Sequence, residues 1–209
     1  MTATAFDPWG GHELAANDNR PLHGRPIMLG LTGKRNVGKS TVANLLEQEF
    51  GFARIHAFEG GKEASRAWFQ YVTGNPVIAE HMVYGALKDK PSPLLPHGQS
   101  PRFFMEKFGH FMGATMGVDW TLGMEIALTR KRNPRAPIVV ESVVYESGWF
   151  QAQGGRVVRL ERPGHDGPTG VESDAVQAAV TADVTISAAT VADLERQARS
   201  MVQQMVGGH

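Results

Sequence analysis

The stretch "LTGKRNVGKST", residues 31–41, decides the reading of this chain. Gly33, Gly38, Lys39 and Ser40 stand at the spacing G-x-x-x-x-G-K-[ST] without a gap. In that pattern the glycines let the main chain approach a polyphosphate and turn its N–H groups into an anion-sized nest. The lysine reaches the outer phosphates, and the hydroxyl is a hard oxygen ligand for magnesium. Four residues at fixed offsets also arise by chance, so the flanks carry weight. Before the loop runs "PIMLGLT", 26–32, compact and apolar, as expected of a strand buried on both faces of a parallel sheet. Behind it Val42, Leu45 and Leu46 recur at helical spacing and Phe50 extends the same face. Strand, glycine loop and helix together set the loop at the positive end of a helix. The candidate nucleotide ligands are therefore Gly33, Asn36, Val37, Gly38, Lys39, Ser40 and Thr41, and the expected cofactors are ATP and Mg2+.

Working outward, "FARIHAF", 52–58, reads as a second strand and "GKEASRAWFQYV", 61–72, as a helix with Trp68 and Tyr71 or Val72 facing inward. "KDKPSPLLPHGQSP", 88–101, holds four prolines and reads as an irregular excursion. A helix follows with Ser100 as cap, Pro101 at its first position, and Phe104, Phe108 and Phe111 at core spacing. "VDWTLGMEIALTRKR" restarts helix with Asp119 as cap. "APIVVESVVY", "GGRVVRLERPG" and "DVTIS" supply three more strands, with a short helix at 146–153, another before the last strand, and a final helix from Thr190 that aligns Leu194, Ala198, Met201 and Met205. Alternating strands and helices predict an α/β fold of the three-layer P-loop NTPase type, a mostly parallel five-stranded sheet flanked by helices. One domain spans 25–209, with a substrate-side excursion at 88–118 and a short lid at 161–173, behind a flexible N-terminal arm at 1–24.

The chain has 209 residues, enough for one sizeable α/β core, and 21 Lys plus Arg balance 21 Asp plus Glu. A neutral chain has no global field to recruit nucleic acid or an anionic membrane. The basic run "RKRNPR", 130–135, reads as a helix end, where cations are favoured. Cysteine is absent, which excludes disulfides and thiolate chemistry and agrees with a cytoplasmic location. The apolar run Ile27–Leu31 is far short of the about 20 residues a membrane helix needs. The histidines show no metal-ligand spacing, so no zinc is expected. The expected partners are small-molecule nucleotides, with no nucleic acid and no membrane; the oligomeric state, homodimer or otherwise, is open.

Several further stretches resemble the deoxynucleoside monophosphate kinases of phages and bacteria, a branch of the P-loop nucleoside/nucleotide kinase superfamily. "HAFEGGKEASRAWF" is similar to that family's F-A-D-P-L-K segment and the helix after it, with Glu59 at the acid position and Lys62 at the lysine. "SPRFFMEKFGHFMG" is similar to T-P-R-x-x-L-Q-x-x-G-T, with Arg102 on its arginine. "GGRVVRLERPG" follows G-G-x-V-I-R-I-x-R-P, and "ADVTISAATVADLERQ" is like the closing D-x-x-I-x-N-x-G-T-x-x-x-L. The likeness covers most of residues 27–204. It implies ATP- and Mg-dependent phosphoryl transfer to a (deoxy)nucleoside monophosphate. Lys39 and Arg162 would act on the transferring group, Glu59, Lys62 and Arg102 on the acceptor, and Ser40 and Glu141 on the metal.

Glu141 also earns its place without the family, because an acid at the end of a strand beside the loop can hold a metal-bound water. The departures lie at "VVESVVYES", where the family reads D-V-R-[FY]-x-N-E, and at Gly109-His110, where it reads G-T. The arginine and asparagine have no counterpart here. Two other readings stay open beside the leading one. The chain could be another small-molecule P-loop kinase, dephospho-coenzyme A kinase-like or shikimate kinase-like, or a nucleotide-binding regulator without kinase activity. The phenylalanine stripe is read as core, and no residue is assigned to stack the base.

Overall fold

The computed structural model of the chain describes residues 26–167 and 172–207; the arm at 1–24 lies outside them. Its centre is a sheet of β1 (Met28–Thr32), β2 (Ala53–Ile55), β3 (Ile138–Val140), β4 (Arg156–Glu161) and β5 (Val184–Ser187) in the order β2-β3-β1-β4-β5. Every pairing is parallel, with Leu29 beside Val139 on one side and Arg156 on the other. β1 is central because every one of its residues is buried, which is the pattern a strand covered on both faces must have. The strand order reverses direction beside β1, so a crevice opens past the carboxyl ends of β1, β3 and β4.

Helices cover both faces. On one side α1 (Lys39–Phe50) and α8 (Val191–Gly207) pack Val42, Leu45, Leu46, Leu194, Ala198 and Met201 onto Leu29, Leu31, Val158 and Ile186. On the other side α5 (Val118–Arg132) and α6 (Ser147–Ala152) bring Leu122 and Phe150 against Met28, Ile138, Val140 and Val157. Each fully buried Leu or Phe of these layers contributes about 2 kcal/mol from area alone. α7 (Glu172–Ala179) is tied to the sheet by Arg159, whose guanidinium donates to the carbonyl of Val180 at 2.5 Å. α2 (Glu59–Thr73), α3 (Pro76–Val83) and α4 (Pro101–His110) form a third cluster around Phe69, Met82, Val83, Leu95 and Met105.

Several expectations need correcting. The five-stranded sheet is parallel throughout, in keeping with the expected mostly parallel type, but the second and third strands are only the three-residue pieces given above. α2 starts at Glu59 and buries Gly61, Ser65 and Phe69, while Trp68 and Tyr71 are exposed and stack on each other at 5.9 Å. Two aromatic stripes competed for the inward face, and Phe69 takes it because Phe104 of α4 lies 5.2 Å from its ring. α3 was not anticipated, although "NP" marks its start: the Asn75 side chain accepts from the N–H groups of Val77 and Ile78, and Pro76 opens the first turn. Ser100 caps α4 as expected, accepting from Phe103 N at 3.3 Å. Past His110 the coil widens into a π-helical segment, Phe111–Met116, and Phe111 is exposed instead of core. α5 is preceded by Gly117, so Asp119 lies inside the first turn and is not its cap. The proline-rich segment carries one 3-10 turn, Pro96–Gly98, and is otherwise irregular, as expected.

Candidate active site

The loop between β1 and α1 has the backbone that phosphate binding asks for. Gly33 (φ 132°) and Gly38 (φ 113°) take conformations that L side chains avoid, and a Cβ on Gly33 would lie 2.3 Å from the carbonyl oxygen of Leu160. Asn36 also has positive φ, 62°, a conformation its residue type tolerates. Val37 buries its side chain in the core, so only its backbone faces the loop, and its N–H turns back to Lys34 O at 3.3 Å. The Lys39 ammonium folds over the nest, donating to the carbonyls of Gly33 at 2.5 Å and Lys34 at 3.0 Å. Lys39 opens α1, and Ser40 and Thr41 follow it in the first turn.

Ser40 meets Glu141, placed at the end of β3. The hydroxyl donates to Oε1, and Arg54 of β2 donates to Oε2 through Nη2 at 2.5 Å and Nε at 3.0 Å, with its other Nη on Asn44 of α1. Burial pushes the Glu141 carboxyl upward, but these donors outweigh it and hold the group below its ordinary range. An ionised carboxylate and a hydroxyl, both oxygen donors beside a phosphate nest, fit a magnesium ion that retains several waters.

Cations gather around Lys88. Lys62, in the first turn of α2, has a side chain only 15% exposed and pairs with Glu59 at 2.9 Å. Tyr84 reaches Glu63 at 2.9 Å and Glu59 at 3.5 Å, which with burial raises the phenol. Glu125 of α5 accepts from Gly60 N at 3.3 Å, and burial raises its carboxyl. Arg102 of α4 is gripped along its Nε–Nη2 edge by Asp89, with Nη2 at 3.0 Å from Oδ2; this contact holds Asp89 low, and Arg35 of the loop adds to the effect. Lys88, half-buried, is pushed below the ordinary lysine range by burial first, then by Arg102 and Lys62. His56, just past β2, accepts from Phe58 N at 3.0 Å through Nδ1; burial first, then Lys62, drive it down to about 3, against the pull of Glu141.

Arg162 follows β4 and is exposed at a cavity of about 380 Å3 also lined by Gly33, Lys34, Arg159, His165 and Ser187. His165 Nε2 lies 2.8 Å from Arg35 O, and Lys34 pairs with Asp166 at 3.2 Å, so the segment after β4 rests on the loop. Glu161 closes β4 and Glu172 opens α7; residues 168–171 of the expected lid lie outside the described ones.

The structure brings some of the residues singled out from sequence together. Ser40, next to Lys39 in the first turn of α1, contacts Glu141; Lys62 pairs with Glu59; Arg102 and Lys62 both act on Lys88, which also feels Glu141; and Arg162 lines the cavity beside the loop. Arg54, His56, Lys88, Asp89 and Glu125 were missed. The first two had a signal: Arg54 and His56 interrupt "FARIHAF" at alternate positions, which put them on one face of a strand. The others are ordinary charged residues whose neighbours are distant in sequence.

No family model matches the chain, and no curated protein matches it. Among solved structures it is similar to dephospho-CoA kinase from Campylobacter jejuni, at 16% identity over 87% of this chain and 98% of that one, TM-score 0.46. It is also similar to shikimate kinase from Aquifex aeolicus, at 11% identity over 88% of this chain and 100% of that one, TM-score 0.42.

Proposed function

We propose that the chain is an ATP- and magnesium-dependent kinase that transfers a phosphoryl group to a (deoxy)nucleoside monophosphate, giving the diphosphate. The observation that carries this reading is the contact of Ser40, next to Lys39 in the first turn of α1, with Glu141, together with a Lys88 that feels the charges of Glu141, Lys62 and Arg102. A phosphate loop serves many chemistries, and only a second anion-binding wall facing it gives it an acceptor.

The chain's part is positioning and charge neutralisation. Lys39 exchanges its two carbonyl partners for oxygens of the outer phosphates. Ser40 and Glu141 would hold magnesium, which would supply positive charge against the donor's phosphates. Asp89 fixes the direction of the Arg102 fork, and a guanidinium so oriented suits a phosphate. An acceptor oxygen attacks the γ-phosphorus while the bond to the β–γ bridging oxygen breaks. A phosphate nucleophile is already ionised, so no general base is needed. Arg162, which lines the cavity shared with Gly33 and Lys34 of the loop, would supply a cation to the donor's phosphates.

The test is ADP release from ATP with each natural nucleoside and deoxynucleoside monophosphate, beside arms with dephospho-CoA and shikimate and a Lys39→Ala control. Turnover with a monophosphate that the control loses supports the reading. Turnover confined to the alcohol acceptors, or none in any arm, overturns it.

A further inference from the structure

We propose that Lys88 is a direct ligand of the acceptor's phosphate, completing with Lys62 and Arg102 a seat for a dianion that selects phosphate acceptors over alcohols. The inference rests on the kinase reading above and names the residue that gives the acceptor site its charge.

The main chain at Lys88 is fastened on both sides. Its N–H donates to Gly85 O at 3.2 Å, and its carbonyl accepts from Arg102 N at 2.9 Å, which joins the turn after α3 to the first turn of α4. The turn itself is held by Leu87 N on His81 O at 3.1 Å and Lys90 N on Leu87 O at 3.1 Å. The side chain therefore projects from a rigid corner and is half-buried.

Its neighbours define what is missing. Lys62 and Arg102 press on it with like charge, and His56 and Glu141 lie within the same field. Among the described residues the carboxylates that act on it are committed elsewhere, Asp89 to Arg102 and Glu141 to Ser40 and Arg54. Among the described residues the Lys88 ammonium hydrogen-bonds to no acid. A partly buried cation crowded by two others is unfavourable until an anion arrives. A phosphate dianion supplies two negative charges and several acceptor oxygens where an alcohol supplies neither, so the same arrangement that strains the ligand-free site discriminates between the acceptor classes.

The measurement is calorimetry on the full chain saturated with Mg·ADP, which fills the donor loop first. The eight natural nucleoside and deoxynucleoside monophosphates and their parent nucleosides are titrated, and the tightest monophosphate is carried to Lys88→Met, Lys88→Arg and, as control, Lys90→Met. Lys88→Met is expected to weaken that monophosphate by about tenfold or more, the value of a hydrogen bond to a charged group. Lys88→Arg should recover most of the loss. Lys90→Met should match wild type, and parent nucleosides should not respond to Lys88. A folded Lys88→Met that still takes up Mg·ADP and binds the monophosphate within twofold of wild type overturns the assignment while leaving the kinase reading intact. Wild type that binds Mg·ADP but no monophosphate overturns both. Melting curves accompany each variant, and Lys88→Gln makes the same comparison should Lys88→Met not fold.

Discussion

The hydroxyl of Ser40 donates to the carboxylate of Glu141 across 101 positions of sequence. The contact joins the first turn behind the phosphate loop to the end of β3, and Arg54 braces its far oxygen from β2. A helix, a strand and an edge strand thereby converge on one carboxylate, which is what keeps a lone acid ionised in a half-buried crevice.

Replacing Glu141 by Gln removes that charge while keeping the shape. Loss of a residue that holds a metal through water weakens metal-linked binding by about tenfold or more. The expected result is that ADP binds Glu141→Gln with nearly the wild-type affinity in EDTA, while the gain on adding magnesium shrinks by that factor. Titrations of ADP with and without the metal read both numbers, and an undiminished gain would remove Glu141 from the metal site.

Lys39→Ala takes away the ammonium that spans Gly33 O and Lys34 O. Because its work is on developing charge, turnover should fall by about a hundredfold or more, and ADP binding should weaken as well. Stopped-flow turnover and nucleotide titration on the same preparation check this; a variant with near-normal turnover would make the lysine a mere loop brace.

His56 links stability to pH. Its folded pKa, about 3, lies below its ordinary 6.5, because burial and then Lys62 disfavour the charged ring. Between those values the unfolded chain binds a proton that the folded chain does not, so stability present above pH 6.5 is lost progressively as pH falls toward 3. The slope should not exceed about 1.4 kcal/mol per pH unit from this one group. Urea denaturation of wild type and His56→Gln between pH 7 and about 4 tests it: the variant should lose stability less steeply, and parallel curves would show that the ring is protonated in the fold.

Gly33→Ala should be costly for two separate reasons. The backbone sits at φ 132°, and the new methyl would meet Leu160 O at 2.3 Å. Strain of this kind costs about 1–3 kcal/mol before any clash is counted. Guanidinium melts should show at least that loss, along with impaired ADP binding. A variant as stable as wild type would mean that the loop relaxes without effort.

The sequence by itself determined the glycine-rich turn between β1 and α1, the parallel α/β architecture and the ends of several helices, since each is written in neighbouring residues. Glycines at positive φ, the Ser100 cap and the buried MLGLT strand are local decisions of the main chain. Tertiary structure alone decided which of two aromatic stripes on α2 turned inward, because the choice depended on Phe104, 35 positions beyond Phe69. It also decided the charges around Lys88. Lys88 and Asp89 look like any surface residues in one dimension, and only Arg102 was marked by its sequence context. Their roles come from electrostatics between side chains on separate elements, and such energies depend on distance and burial that only the folded chain defines.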